Sequence, residues 1–140
     1  MSRTTSKRLS VAVLCLAFLA SLGFGAEPEP PVAIEIDVSP KTLNIQSEGD
    51  IVTVHTDIPY SQVAGATVAL NGVHISWWKS DNQGNFVAKF AMGAVKALYE
   101  DGSLSDGTNT LMLIGQTKSY LDFVGWADIT VINVDPRGRR

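Results

Sequence analysis

Two short apolar runs near the C-terminus, Thr110–Gly115 and Ala127–Val134, constrain the fold more than any other part of this 140-residue chain. Both are rich in Leu, Ile and Val, and a polar, aromatic, glycine-bearing connection separates them. Runs this short with that composition fit neighbouring strands of a half-buried sheet rather than helices. Side chains alternate across a strand, so one face takes Leu111, Leu113, Ile129 and Val131. The other takes Thr110, Met112, Ile114, Thr130 and Ile132. The first set is the expected core. The second is a small apolar cluster on a face that should be wet, and such a patch is either a docking surface or covered by another element.

The segments before this hairpin read the same way. Ile34, Ile36 and Val38 alternate with Glu35 and Asp37; Pro40 then breaks the ladder because it has no N–H, and the strand resumes with Leu43 and Ile45 inward. A turn at Glu48-Gly49-Asp50 leads into a strand over 51–56, and Asp57 to Gly65 reads as a loop crossing between sheets. Val68 and Leu70 mark the next strand. It ends in Asn71-Gly72, where both residues tolerate the positive φ of a type I′ turn, so Leu70 should face Val73. Continuing that alternation places Val73, Ile75 and Trp77 inward and His74, Ser76 and Trp78 outward. After the polar loop Ser80–Asn85, Phe86, Ala88 and Phe90 form an inward face with Lys89 outward. Ala94, Val95, Ala97 and Leu98 are spaced for a helix instead, which predicts one short helix near 93–100, followed by a polar loop over 101–107. Roughly seven short strands punctuated this way indicate an all-β, immunoglobulin-like two-sheet sandwich occupying 33–135.

The N-terminus has a different character. Arg3, Lys7 and Arg8 precede an apolar run from Leu9 to Phe24, and small residues follow at Gly23 and Gly25. This is the layout of a signal peptide over 1–25, with a retained membrane anchor as the alternative. Cys15 follows Leu14 deep in the apolar run and does not read as a lipid attachment site. Cleavage takes away the only cysteine, so the sandwich must hold without a disulfide. A domain of about 115 residues buries roughly two-thirds of its unfolded surface, which suffices. Cleavage also removes three basic residues and no acidic ones, moving the formal charge from −3 to −6. A surface of that sign has no general attraction for nucleic acid. Residues 26–32 are rich in Pro and read as an extended tether, and 136–140 as a basic tail. The expected location is secreted or periplasmic.

The run Ile34-Glu35-Ile36-Asp37-Val38-Ser39-Pro40-Lys41-Thr42-Leu43-Asn44-Ile45-Gln46-Ser47-Glu48-Gly49 resembles the opening of an Ig-like accessory module of exported bacterial and archaeal proteins, I-x-I-D-[IV]-x-P-x-T-L-N-[IL]-x-S-x-G. Val68-Ala69-Leu70-Asn71-Gly72 matches the module's V-x-L-N-G and Val87-Ala88-Lys89-Phe90 its V-x-K-F. The Ala94–Leu98 segment, Gly115 and the closing Phe123-x-Gly125 before Ile129 and Val131 have counterparts too. The resemblance implies a sandwich attached to larger secreted proteins, with no reaction assigned to it. Many relatives carry an acidic D-x-D-G-D-G loop where this chain has Ser80-Asp81-Asn82-Gln83-Gly84-Asn85, with a single carboxylate, and a D-G-T-P-F segment where it has Ser119-Tyr120-Leu121-Asp122-Phe123.

Candidate sites are few. Asp81, Asn82 and Asn85 could offer some oxygens to calcium, but an EF-hand spacing needs Gly where Phe86 stands, so a solvated turn and no cofactor are expected. The loop holding Asp101, Ser105, Asp106 and Asn109 reads alike. Trp78, Tyr120 and Trp126 could make a platform for sugar rings or anchor a protein, and the plainer reading has the tryptophans covering sheet edges. His55 and His74 are too few and too separated to argue a metal site. No nucleophile elbow, H-E-x-x-H or phosphate loop occurs in the sequence. The expected function is a non-catalytic structural or protein-interaction module, docking through Met112, Ile114 and Ile132. The alternative is a carbohydrate-binding module using the aromatics. Either way, the partner is a protein or polysaccharide outside the cell.

Overall fold

The structure, a computed structural model, describes residues 29–137. The chain divides into two units, Met1–Pro30 and Pro31–Arg140. The expected signal peptide, the first part of the tether and residues 138–140 of the tail lie outside the described residues.

The second unit is an all-β sandwich of two sheets. Its strands are β1 (Val32–Ala33), β2 (Ile36–Ser39), β3 (Thr42–Asn44), β4 (Ile51–Pro59), β5 (Val63–Leu70), β6 (Val73–His74), β7 (Trp77–Ser80), β8 (Asn85–Ala91), β9 (Gly107–Thr117) and β10 (Asp122–Ile132). One helix, α1 (Met92–Glu100), links β8 to β9. One sheet runs β1-β10-β9-β5-β6, with β3 also on β10; the other runs β2-β4-β8-β7. This pairing order is immunoglobulin-like: β2, β4, β8 and β7 take the places of A, B, E and D, and β5, β9 and β10 those of C, F and G.

The C-terminal hairpin has the expected faces. Leu111, Leu113, Ile129 and Val131 are buried, while Thr110, Met112, Ile114 and Thr130 are exposed. Ile132 is half-buried, because β3 pairs beside it through Ile132↔Asn44. The opposing sheet supplies Val38, Val52, Val54, Phe86, Ala88 and Phe90 to the same core. Two glycines make room within it. A Cβ on Gly115 would lie 2.5 Å from the ring of Phe123, its cross-strand partner, and one on Gly125 would lie 2.7 Å from Ile36. The N-terminal strand is not continuous. The chain pairs with β10 as β1, crosses to the other sheet as β2, then returns to β10 as β3 after a cis Ser39–Pro40 peptide. The sandwich therefore begins at Val32, inside the segment read as tether.

Local chemistry explains the connections. Asn71 and Gly72 hold φ of 46° and 84°, and Leu70 pairs with Val73, as the turn sequence requires. Helix α1 buries Met92 and Val95 against the core and ends where Leu104 N–H donates to the Leu98 carbonyl, two residues past Gly102 at φ 87°. The loop expected over 57–65 is mostly strand. β4 continues to Pro59 through a bulge, where the buried Thr56 hydroxyl donates to the Phe86 carbonyl at 2.7 Å, and only the 3₁₀ turn Tyr60–Gln62 separates it from β5. The tryptophans exchange roles for a related reason. The chain leaves the first sheet after His74 and joins the second at Trp77, so alternation counted through Ile75 and Ser76 does not carry across. Trp77 pairs with Lys89 on the outer face, and Trp78 pairs with the buried Ala88 on the inner one.

Leu113→Ala is expected to cost ~2–5 kcal/mol as a deletion in a closed core, against within about 0.5 kcal/mol for Thr110→Ala. Gly115→Ala is expected to cost ~1–3 kcal/mol by overpacking Phe123, with part recovered in a Phe123→Leu background. Chemical denaturation measures all of these, and equal effects at 110 and 113 would contradict the assignment of faces.

Candidate functional site

The outer face of the β10-β9-β5 sheet follows from register alone. Ala33, Val124, Ile114, Ala69 and His74 form one row across five strands. Trp126 and Met112 form the adjoining row. On either side lie the pairs Asp122–Gln116 and Asp128–Thr110. Met112 and Ile114 are exposed and Trp126 is 54% exposed, so three large apolar side chains stand together in water. They floor a groove of about 780 Å³, with Pro31 and Ala33 on one side and Thr67, Gln116 and Asp122 at its margin. Isolated exposed apolar residues are ordinary, but a contiguous strip on a sheet face is not.

The two carboxylates at the rim are tied to neutral partners. The Thr110 hydroxyl donates to Asp128 Oδ1 at 2.6 Å, and Gln116 Nε2 donates to Asp122 Oδ1 at 3.0 Å. Asn71 fixes one corner: its Oδ1 accepts from the Met112 amide and its own N–H donates to the Met112 carbonyl. No lysine or arginine occupies the paired positions of this face.

The expected residues distribute unevenly. Met112 and Ile114 belong to the strip, and Trp126, grouped by sequence with the other aromatics, joins them. Ile132 does not. It lies six residues beyond Trp126 along β10, roughly 20 Å away, beside β3. Nor do the three aromatics form one platform. Tyr120, 83% exposed at φ 66°, sits in the turn between β9 and β10. Trp78, 37% exposed, lies across the sandwich against Gly65, whose missing Cβ leaves space for the indole. The strip was hidden from sequence reasoning because its members come from opposite ends of a hairpin, and only the Trp126↔Met112 register unites them.

The two polar loops are occupied by their own turns. Asp81 Oδ1 accepts from the amides of Gln83 at 2.8 Å and Asn85 at 2.9 Å. Asp101 Oδ1 accepts from the Ser103 amide, Asn109 bonds the Ser105 backbone at both ends, and the Tyr99 hydroxyl donates to Asp106. Among the described residues no three His, Cys, Asp or Glu side chains gather as a metal site would require, and no helix is long and apolar enough to cross a membrane. His55 and His74 are both exposed, on opposite sheets.

No family model matches the chain, and neither a search of curated proteins nor one of solved structures returned a match.

The Asn85 amide is the main cause holding the Asp81 carboxyl below its usual range, aided by the Gln83 amide and His55 against partial desolvation. A depressed folded-state pKa contributes stability that is present above the unfolded value and lost as pH falls through the folded one. The Gln83 and Asn85 amides are therefore expected to lose protection, with rates taken relative to an unstructured peptide at the same pH, on acidification below the ordinary carboxylate range, and Asp81→Ala to lack that protection at every pH. Carboxyl titration by NMR checks this, and an ordinary titration midpoint for Asp81 would contradict it.

Proposed function

We propose that the chain is an exported, non-catalytic immunoglobulin-like interaction module, of the kind attached to larger secreted bacterial proteins, that docks a protein partner on the outer face of its β10-β9-β5 sheet. It works without a resident metal or cofactor. The observation that carries this reading is the strip Trp126, Met112 and Ile114, exposed together over a groove on a face that no other described strand or helix covers. Interfaces concentrate binding energy in a few large apolar anchors ringed by polar groups, and Trp is foremost among them. Here the ring is Thr67, Gln116 and Asp122. The signal-like N-terminus and the resemblance of residues 34–49 to exported modules support the export part.

A polysaccharide is the second reading. It rests on Trp126 alone, since Trp78 and Tyr120 stand elsewhere. An indole lying free over a groove can stack on a sugar ring.

Trp126→Ala and Ile114→Asp are expected to leave the thermal midpoint within about 2 °C of the parent while abolishing capture of a partner from the extracellular fraction. Ile132→Asp, half-buried beside β3, should lower the midpoint instead. Retained capture by both face variants would contradict the docking face. A shift of tryptophan emission on a glycan panel, lost in Trp126→Ala, would favour the second reading.

A further inference from the structure

The opposite face of the sandwich has the complementary chemistry. Its rows are Asp37, His55, Val87 and Lys79, then Ser39, Thr53, Lys89 and Trp77. Trp77 is 46% exposed with the Lys89 ammonium 5.5 Å from its ring centroid, and Lys89 Nζ also donates to the Thr53 hydroxyl. At the β2 edge cationic charge is already spent, since Lys41 is paired with Asp37, while Asp57 keeps a neutral partner, the Glu35 amide. At the β7–β8 edge it is not. Lys79 has no carboxylate partner among the described residues, and Lys89 has only neutral ones. This face therefore presents an exposed indole beside two uncompensated cations, with Val87 buried flat between them. The face carrying Trp126 presents an apolar strip bracketed along β10 by Asp122 and Asp128, two carboxylates with only neutral partners.

We propose that the occupant of the Trp126 face is a second copy of this chain, seated through its Trp77–Lys79–Lys89 edge, so that copies stack back to face. The inference rests on the docking reading above and specifies its partner. Charge selects this pairing over the two symmetric ones. Joining two Trp126 faces sets Asp122 and Asp128 against their own kind, and joining two Trp77 faces does the same to the lysines. In the mixed contact the indole of Trp77 lies on Met112 and Ile114. The lysines, diagonal neighbours on adjacent strands, reach a carboxylate at whichever end of the strip they meet. The two faces belong to opposite sheets, so each contact leaves one free face at either end, and the assembly is an open stack rather than a closed dimer. Three strands at about 4.8 Å spacing over some 20 Å of length make a patch below the standard interface size, so the contact is weak and forms where copies are crowded.

Sedimentation velocity on the purified protein across a concentration series tests this. The parent is expected to show a sedimentation coefficient that rises with concentration past the dimer value. The double variants D122K/D128K and K79E/K89E are each expected to need at least about tenfold higher concentration for the same rise. Mixed in equal amounts, the two variants are expected to regain the parent's rise, because the lysine edge of D122K/D128K meets the acidic strip of K79E/K89E and the reversed edge of K79E/K89E meets the reversed strip of D122K/D128K; a mixture that assembles no better than either variant alone overturns the charge pairing. A parent that remains monomeric throughout, or stops at a dimer, overturns the stack, as does either double variant assembling like the parent. The parent series decides the matter even if a variant folds poorly. A monomeric parent that still captures a foreign partner through Trp126 would sink the stack and leave the docking face standing.

Discussion

The antiparallel ladder between β9 and β10 carries both halves of this structure. Ten residue pairs, from Asp122↔Gln116 to Val131↔Gly107, run without a register shift, whereas β5 meets β9 only at its two ends. Because side chains alternate strictly along such a ladder, one register decides two outcomes. It sends Leu111, Leu113, Phe123, Ile129 and Val131 into the core and sets Met112, Ile114 and Trp126 side by side in solvent. A slip of one residue would bury the strip and expose the core. The exposed apolar strip is thus the necessary reverse side of the element that holds the sandwich together.

Close packing without a disulfide tightens that dependence. Gly115 and Gly125 face inward from the two strands of the ladder, and each leaves a gap that another side chain fills, Phe123 in one case and Ile36 in the other. The second contact ties the ladder to β2 in the opposing sheet. The first strand reinforces it by pairing with β10 twice, at Val32–Ala33 and at Thr42–Asn44, and spending the interval in the other sheet. β10 is therefore held at both ends and open in the middle.

Much of this was legible in the sequence, for physical reasons. Faces could be assigned wherever a strand stays in one sheet, as β9, β10 and β8 do, because period-two alternation then holds from end to end. The Asn71-Gly72 turn fixed its own register through the φ values it demands. The helix declared itself by spacing. What failed were places where pairing changes. Trp77 and Trp78 were inverted because the chain changes sheets between His74 and Trp77. The stretch 57–65 reads as loop because Pro59 and Gly65 are ordinary loop residues, while the bulge that lets β4 continue depends on the Thr56 hydroxyl meeting a carbonyl thirty residues away. Trp126 joined Met112 and Ile114 only through cross-strand register, and Ile132 left them because β3 returns beside it. Contacts distant in sequence leave no local period to read.

The split first strand also makes the central claim measurable. β1 stops at Val124 and β3 begins at Thr130, so the amides of Trp126 and Asp128 point to an edge where no strand pairs, while those of Gly125, Ala127 and Ile129 point into the ladder. Native-state hydrogen exchange followed by NMR reads this directly. The account predicts that Gly125, Ala127, Ile129, Leu111 and Leu113 exchange only on global unfolding, and that Trp126 and Asp128 exchange orders of magnitude faster. Uniform protection from 122 to 132 would mean that an unbroken strand covers β10, and fast exchange at Leu111 and Leu113 would mean that this ladder does not anchor the fold.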